Sequence, residues 1–227
     1  MTDASMLDNV IWYALNSQHR SFSRGTALAA RYAADVSPFA ALAHPTPEAF
    51  SDLATLAQPG DSVALFTAEP LDVSPEWQLV RSRPLEQMVC DRLEGDAPRL
   101  YLRLGAEDVP EMLALAAATE PGPFSAGTIG MGRYYGFRSA DDGRLVAMAG
   151  ERLRLTGYTE ISAVCTDPAF RGRGYARTLV AGLVAQSLAD GCTPFLHVKT
   201  ENGAKALYEA LGFRVRRAIQ LTVLTLR

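Results

Sequence analysis

Three amino acids are scarce in this sequence of 227 residues, which holds only three cysteines, three histidines and two lysines. Cys90, Cys165 and Cys192 are too few and too scattered for a disulfide framework or a zinc site. We therefore expect no metal, and a reducing, cytoplasmic location. Two lysines without a long basic stripe also argue against a nucleic-acid partner.

Long apolar runs are absent as well. No segment approaches the roughly 18 consecutive apolar residues of a transmembrane helix, and the first residues lack the basic flank and apolar core of a signal peptide. We therefore expect no membrane partner. The composition, 48% hydrophobic and 21% charged, is typical of a soluble globular protein with a sizeable core. It excludes collagen, coiled coil and disorder as the dominant class.

Charge is distributed unevenly along the chain. Residues 1–98 hold 13 acidic and 6 basic residues, a net charge of −7, whereas residues 99–227 hold 12 acidic and 16 basic residues, a net charge of +4. Most basic residues of the second part are arginine, whose guanidinium group suits phosphate oxygens. The pattern favours an anionic ligand there, or it is a simple drift of surface charge.

A polar, turn-rich segment at 94–98 predicts a boundary between an N-terminal α/β region of unknown role (1–97) and a second domain (98–227). In the first region we expect helices over 26–34 and 47–57 and strands over 62–67 and 77–81. This region carries no recognisable chemistry. Its lone histidines, His19 and His44, are interpreted as structural or exposed residues.

The second domain alternates strands and helices. The patterns predict strands near 99–104, 133–139, 144–155, 158–166, 195–199, 213–217 and 220–226, and helices near 106–119, 173–189 and 203–211. The segment Asp141-Asp142-Gly143 is a hairpin signal. An antiparallel run of strands followed by a β-α-β-α-β order is typical of a mixed α/β sheet flanked by helices.

The most informative segment connects the strand that ends at Thr166 to an amphipathic helix through the glycine-containing turn at 171–176. Glycines let a backbone approach a ligand closely, and the free N–H groups at a helix start attract anions. The turn is therefore a candidate pyrophosphate site, or an ordinary glycine turn. A Walker loop is excluded because it needs a Gly-Lys-Ser/Thr tripeptide. A Rossmann fingerprint is excluded because Arg177 stands where its third glycine belongs.

Two signatures resemble those of the GNAT superfamily of N-acetyltransferases. Residues 171–176, RGRGYA, fit its R/Q-x-x-G-x-G/A pattern, and residues 206–213, ALYEALGF, are similar to its second motif. Shorter strings at 121–124, 147–152 and 160–165 resemble the branch related to glycine N-acyltransferase. The resemblance implies the GNAT fold, a mixed and mostly antiparallel central sheet flanked by helices, with residues 1–97 as an extra α/β half. It also implies N-acetyltransferase activity with acetyl-CoA as cosubstrate.

The resemblance further implies which residues bind the cosubstrate. In the family, the pantetheine arm lies along the strand before the glycine turn, and the pyrophosphate lies on main-chain amides of the turn. The matching residues are Val164, Cys165, Thr166, Arg171, Gly172, Arg173, Gly174, Tyr175, Ala176 and Arg177. Asn202 corresponds, with an offset of one residue, to a family asparagine that touches the cofactor, or it serves only as a helix N-cap.

Two side chains are implied in the chemistry. Tyr208 matches the family tyrosine that protonates the departing CoA thiolate, a role that suits a phenol with a pKa near 10, or it is a packing residue of its helix. Glu160 stands where some family members place the general base, which takes a proton from the substrate amine. Glu151 and water are the alternatives to Glu160, which could also be a solvent-exposed residue at a strand end.

The acceptor cannot be read from the sequence. An amino acid, another small-molecule amine and a peptide N-terminus all remain open, as does the length of the acyl chain. The resemblance implies a homodimer, because family members are often dimers. The alternative from a different class is a non-catalytic module that binds acyl-CoA.

Overall fold

The computed structural model describes residues 3–96, 102–200 and 203–227. The described strands are β1 (Ser23–Gly25), β2 (Ala29–Tyr32), β3 (Ala40–Leu42), β4 (Ser62–Thr67), β5 (Trp77–Val89), β6 (Tyr134–Arg138), β7 (Leu145–Leu155), β8 (Tyr158–Thr166), β9 (Thr193–Val198) and β10 (Arg214–Leu226). The α-helices are α1 (Val10–Leu15), α2 (Pro47–Thr55), α3 (Val109–Thr119), α4 (Tyr175–Ala189) and α5 (Lys205–Glu209). No helix in these three ranges is both long and apolar enough to cross a bilayer.

Seven strands form the central sheet, in the order β4-β10-β5-β9-β8-β7-β6. Every neighbouring pair is antiparallel except β8 and β9, which run parallel. The predicted mixed, mostly antiparallel sheet flanked by helices is therefore confirmed. Because β4 and β5 precede residue 97, strands from both sides of the predicted domain boundary share this one sheet. The boundary itself lies outside the described residues, and the division into two domains stays a prediction.

The N-terminal region also contains a small sheet, in the order β1-β2-β3. The prediction of a helix over 26–34 was wrong, because β2 occupies the centre of that segment. All four residues of β2 are buried, and the strand pairs antiparallel on both sides. Alanine favours helices, but this preference amounts to a fraction of about 1 kcal/mol per residue, and burial between two strands outweighs it.

Several elements lie where the sequence pattern places them. The structure confirms the strand at 62–67, the helices α2, α3, α4 and α5, and the hairpin turn at 141–143. The two strands expected at 213–217 and 220–226 are a single strand, β10, with a bulge between Val215 and Arg217. The strand β5 continues to Val89 because it pairs along most of β10. The expected strand at 99–104 lies partly outside the described residues, and within them Arg103 forms a bridge to Tyr135.

Helices cover both faces of the sheet. Helix α4 buries Leu179, Leu183 and Val184 against one face, in a cluster that includes Leu196. The neighbouring residue on β9, Phe195, points to the opposite face and packs with α1. Helix α3 also lies on the face of α1, since it packs on Met148, whose neighbours in β7 face α4. The candidate site lies where these two faces are connected.

Candidate functional site

The central sheet is split between β8 and β9. These parallel strands pair only where residues 158–160 lie opposite residues 193–195, and no pair follows Glu160. A bulge in β8 occurs at the same level: Ala163 has a φ of 52°, and the register with β7 shifts between Met148 and Gly150. A bulge bends its strand and increases its twist. The main chain of β8 beyond Glu160 is therefore available on this side to an extended ligand.

A cavity of about 1260 Å³ passes through this split. On one side it is lined by Leu196 and Val198, which pack with α4, and on the other by Phe39 and Phe66, which pack with α1. We call this space the main cavity. Its lining combines residues of β8, β9 and α5 with residues of β4 and β5, so the N-terminal region forms part of its wall.

A second, smaller cavity of about 230 Å³ lies over the glycine turn. Gly172 and Gly174 have φ values of 77° and 79°, a region that glycine adopts readily. Apart from the adjoining residues, no atom of the described part of the chain lies within 4 Å of the position that a Cβ would take at either glycine, so these residues leave the space above the turn open. The first helical residue is Tyr175, and the first turn of α4 leaves N–H groups without helical partners at this opening.

The predicted cosubstrate residues lie together. Residues 171–177 line the small cavity, and Val164, Cys165 and Thr166 line the main cavity. Four residues line both cavities and join them: Thr166, Arg171, Ala176 and Leu207. Burial raises the pKa of the Cys165 thiol, which disfavours a nucleophilic thiolate. Asn202 lies outside the described residues.

Side chains around the turn hold its arginines in place. Arg171 donates from Nε to the Thr166 carbonyl oxygen at 3.4 Å. The guanidinium of Arg173 lies 4.7 Å from the centre of the Phe170 ring, a cation–π contact. The Tyr175 ring stacks on Phe137 with 4.6 Å between ring centres. These contacts surround the small cavity with cationic groups.

Tyr208 lies on α5 and lines the main cavity. Its side chain is buried, with an edge-on contact to Phe213 at 5.9 Å between ring centres. Burial raises the pKa of this phenol to about 12, so the hydroxyl keeps its proton at neutral pH. None of the described residues hydrogen-bonds this hydroxyl, which leaves it free to donate to a ligand.

Glu160 lies at the point where β8 and β9 separate, and its carboxylate is completely buried. Arg152 donates to it from Nε at 2.8 Å and from Nη2 at 2.7 Å, and His197 Nδ1 lies 2.8 Å from Oε1. Burial alone would raise the pKa of Glu160, but the charge and hydrogen bonds of Arg152, together with His197, lower it to about 2. Arg152 and His197 line the main cavity, and Glu160 is behind them.

The His197 ring is fixed by Gln87. The Gln87 amide donates from Nε2 to the Leu7 carbonyl at 2.8 Å and accepts from Arg216 at 2.9 Å. These partners orient the amide so that Nε2 also donates to His197 Nε2 at 3.1 Å. The imidazole therefore carries its proton on Nδ1 and donates it to Glu160. No local pattern in the sequence indicates this network, because its members are far apart in the chain.

Two further carboxylates, Glu151 and Glu120, differ from Glu160 in their relation to the cavities. Glu151 is fully buried, accepts hydrogen bonds from Arg133, and lines neither cavity. Glu120, which the sequence analysis did not consider, is exposed and lines the main cavity. It ends α3 in the left-handed conformation, with a φ of 48° that is uncommon outside glycine. Within the described ranges, Glu120 forms no ion pair.

The chain is similar to proteins of one family. A family model described as FR47-like protein matches residues 134–221. A crystal structure described as an acetyltransferase of the GNAT family from Novosphingobium aromaticivorans is 40% identical, with a TM-score of 0.87 over 97% of this chain and 98% of that chain. A GCN5-related N-acetyltransferase from Kribbella flavida, 19% identical, shares the fold with a TM-score of 0.63 over 98% of this chain and 95% of its own.

Curated relatives match a shorter segment. The N-alpha-acetyltransferase RimI of Mycobacterium tuberculosis is 40% identical over 85 residues, which are 36% of this chain and 51% of that protein. A Mycobacterium leprae protein is 38% identical over 86 residues, 35% of this chain and 22% of its own length. The chain thus spans about half the length of one curated relative and less than a quarter of the other. The likeness to the Novosphingobium structure extends over nearly the whole of both chains, and on this basis the protein belongs to the GNAT family of acetyltransferases and is an acyltransferase.

Proposed function

We propose that this acetyltransferase moves the acetyl group of acetyl-CoA to a primary amine by direct attack of the amine on the thioester. The observation that carries the proposal is the split between β8 and β9, through which the main cavity reaches both faces of the sheet. A cosubstrate bound from the side of the glycine turn and an amine bound under the N-terminal region would meet inside this cavity. No covalent enzyme intermediate is needed in such an arrangement.

The glycine turn is the proposed pyrophosphate site. The amides of residues 172–176 and the cationic groups of Arg171, Arg173 and Arg177 surround the small cavity, which suits phosphate oxygens. Beyond Glu160, β8 pairs with β7 but not with β9. On that open side, the main chain of Val164, Cys165 and Thr166 would bind the pantetheine amides as a neighbouring strand does. Asn202 stays a predicted contact of the cosubstrate.

Tyr208 is the proposed proton donor to the departing thiolate. Its free, protonated hydroxyl lines the main cavity next to Leu207, a residue that also lines the small cavity. Protonation of the sulfur makes reversal of the transfer less favourable. Packing against Phe213 holds the ring in place for this role.

The proton of the attacking amine needs an acceptor. Glu160 remains the acceptor predicted by the resemblance, and its position behind Arg152 and His197 requires that the proton reach it through one of these side chains or through water. Glu120 is the second candidate, because its carboxylate lines the main cavity without an intervening ion pair. Glu151 is a third candidate, although its carboxylate already accepts a hydrogen bond from Arg133.

Within the family, we propose the branch that resembles glycine N-acyltransferase. Of the three strings that carry this likeness, residues 121–124 line the main cavity and residues 160–165 contain the bulge of β8. Both strings therefore lie at the proposed site. A homodimer and a cytoplasmic location stay predictions, which light scattering and fractionation of cells would check.

Calorimetric titration with acetyl-CoA, propionyl-CoA and free CoA tests the proposal, followed by an assay of CoA release with a panel of primary amines. We expect binding of acetyl-CoA and release of CoA with at least one amine. Binding without release across a broad panel would instead support a non-catalytic acyl-CoA-binding module. No binding to any of the three would contradict both.

A further inference from the structure

Two arginines of the N-terminal region, Arg81 and Arg83, lie on β5 and face the main cavity. In the register of the sheet they are opposite Val223 and Leu221 of β10, and all four residues line that cavity. Side chains at alternate positions of a strand share one face. Ser82, between the two arginines, therefore points to the other face. The two arginine side chains therefore lie side by side and line the same main cavity.

In the part of the chain that the structure describes, neither the exposed side chain of Arg81 nor the half-buried side chain of Arg83 forms an ion pair or a hydrogen bond. The Nε atom of Arg83 is buried without a hydrogen-bond partner. A buried donor without a partner is costly, so such a group is typical of a site that a ligand completes.

Arg152 adds a third donor to this wall. Its Nε and Nη2 atoms bind Glu160, whereas Nη1 has no hydrogen bond among the described residues. Nη1 faces the loop after α3, since a Cβ on Gly122 would lie 3.8 Å from it, and both residues line the main cavity. Arg152 is 7% exposed, so its free N–H groups are directed into a site that is largely shielded from water.

The remaining lining around these arginines is mainly apolar. It is formed by Phe39, Phe66, Leu85, Leu221 and Val223, with Ser62 and His197 as polar members. Arg81 and Arg83 do not line the small cavity over the glycine turn, which is the proposed pyrophosphate site. Their charge is therefore available to the acceptor and not to the phosphates of the cosubstrate.

We propose that the acceptor is an amine with an apolar body and an anionic oxygen group, a carboxylate or a phosphonate-like group, bound by Arg81 and Arg83. This inference rests on the proposed function and names its substrate class. Paired guanidinium donors bind such oxygens with charge-assisted hydrogen bonds, which are about twice as strong as neutral ones. The exposed Glu120 is the one carboxylate among the described lining residues of the main cavity, and it suits the amine at the other end of the same molecule.

The test compares acceptors that differ only in the anionic group. CoA release is measured with leucine and phenylalanine, with isopentylamine and 2-phenylethylamine, which lack the carboxylate, and with 1-amino-2-phenylethylphosphonate. We expect kcat/KM to be higher by about 10- to 100-fold for the anionic amines, the range for hydrogen bonds to a charged group. The phosphonate distinguishes a carboxylate site from one that prefers a tetrahedral oxyanion.

The variant Arg81→Gln/Arg83→Gln tests the two residues. We expect it to raise KM for the amines that carry an anionic group by about 10- to 100-fold, with little change in KM for the amines that lack this group and no change in acetyl-CoA affinity. The variant Arg81→Lys/Arg83→Lys should keep part of the preference because it keeps the charge. The control is Arg24→Gln, an exposed arginine of the small sheet, which should leave every constant unchanged.

Two results overturn the inference. If amines without the anionic group react as fast as their counterparts that carry it, the proposed substrate preference is wrong. If KM is unchanged in the double glutamine variant, Arg81 and Arg83 do not bind the acceptor. Both results leave the proposed acetyl transfer standing, because CoA is still released. Absence of acetyl-CoA binding would contradict the proposed function instead.

Discussion

Arg152 and Glu160 form a buried ion pair between β7 and β8, with two hydrogen bonds of 2.8 and 2.7 Å. The pair lies where β9 separates from β8, and its cationic partner forms part of the cavity wall. Arg152 also lies over the Phe39 ring, 4.8 Å from its centre. One charged cluster thereby links the splayed strands of the family fold to the N-terminal region.

Removal of one member of this pair should destabilise the protein strongly. In Arg152→Met the Glu160 carboxylate stays buried without its main partner, a change that costs about 3–5 kcal/mol in free energy of unfolding. Arg92→Met is the control, because the Arg92–Glu94 pair is exposed and is worth about 1 kcal/mol or less. Urea denaturation measures both. An equal, small loss in the two variants would show that the buried pair is not needed for stability.

The stability of the native protein should depend on pH through Glu160. Its pKa is about 2 in the folded protein against an ordinary value of 4.5, so the carboxylate stabilises the fold above pH 4.5 and this contribution is lost as the pH falls toward 2. The difference in free energy of unfolding between the native protein and Glu160→Gln should therefore narrow over this interval. Urea titrations at several pH values measure it, and a constant difference would contradict the lowered pKa.

A pH–rate profile should identify the proton acceptor. We expect Glu120→Gln to lose the acidic limb of kcat/KM, because Glu120 lines the main cavity in an exposed position and forms no ion pair among the described residues. Glu151→Gln is the comparison, since Glu151 lines neither cavity. Loss of the limb in Glu160→Gln with retention in Glu120→Gln would assign the proton to Glu160. Retention in all three variants would leave water as the acceptor.

Tyr208→Phe should lower kcat more than it weakens the binding of acetyl-CoA. The change removes a hydroxyl that makes no hydrogen bond within the described chain and keeps the ring that packs on Phe213, so the fold should be unaffected. Loss of a proton donor typically costs about 100-fold or more in rate. Tyr13→Phe, at an exposed tyrosine of α1, is the control. An unchanged kcat would remove Tyr208 from the mechanism.

The sequence predicts those parts of the site that are continuous in the chain. The glycine turn, the strand end before it and Tyr208 carry short-range patterns, and the structure brings them to two connected cavities. The helix predicted at 26–34 was wrong because its residues pair as β2 between β1 and β3, and local preference carries no information about that pairing. The order of strands in the sheet is a long-range property for the same reason.

The residues that the sequence analysis missed have long-range partners. Arg152 and His197 can be assigned to the site only from their contacts with Glu160. Arg81 and Arg83 can be assigned to it only from the pairing of β5 with β10. The bulge at Ala163 had no local signal either, because alanine is ordinary in a strand and its φ of 52° follows from the register with β7. The alternation of Arg81, Ser82 and Arg83 along a strand is the one sequence signal that predicts both arginines on the same face of the sheet.

Substitution of Gly174 should separate the binding role of the turn from its conformational role. Gly174 and Gly143 have φ values of 79° and 74°, and among the described residues no atom beyond the chain neighbours lies within 4 Å of a Cβ built on either glycine. Gly174→Ala and Gly143→Ala should therefore lose similar stability, about 1–2 kcal/mol, because alanine is strained in this region. Only Gly174→Ala places a methyl group in the space over the amides of the small cavity.

We expect calorimetry to show weaker acetyl-CoA binding in Gly174→Ala and native affinity in Gly143→Ala, the control in the hairpin turn. Equal affinities in the two variants would mean that the glycine turn is only a connection between β8 and α4, and the pyrophosphate would have to bind elsewhere.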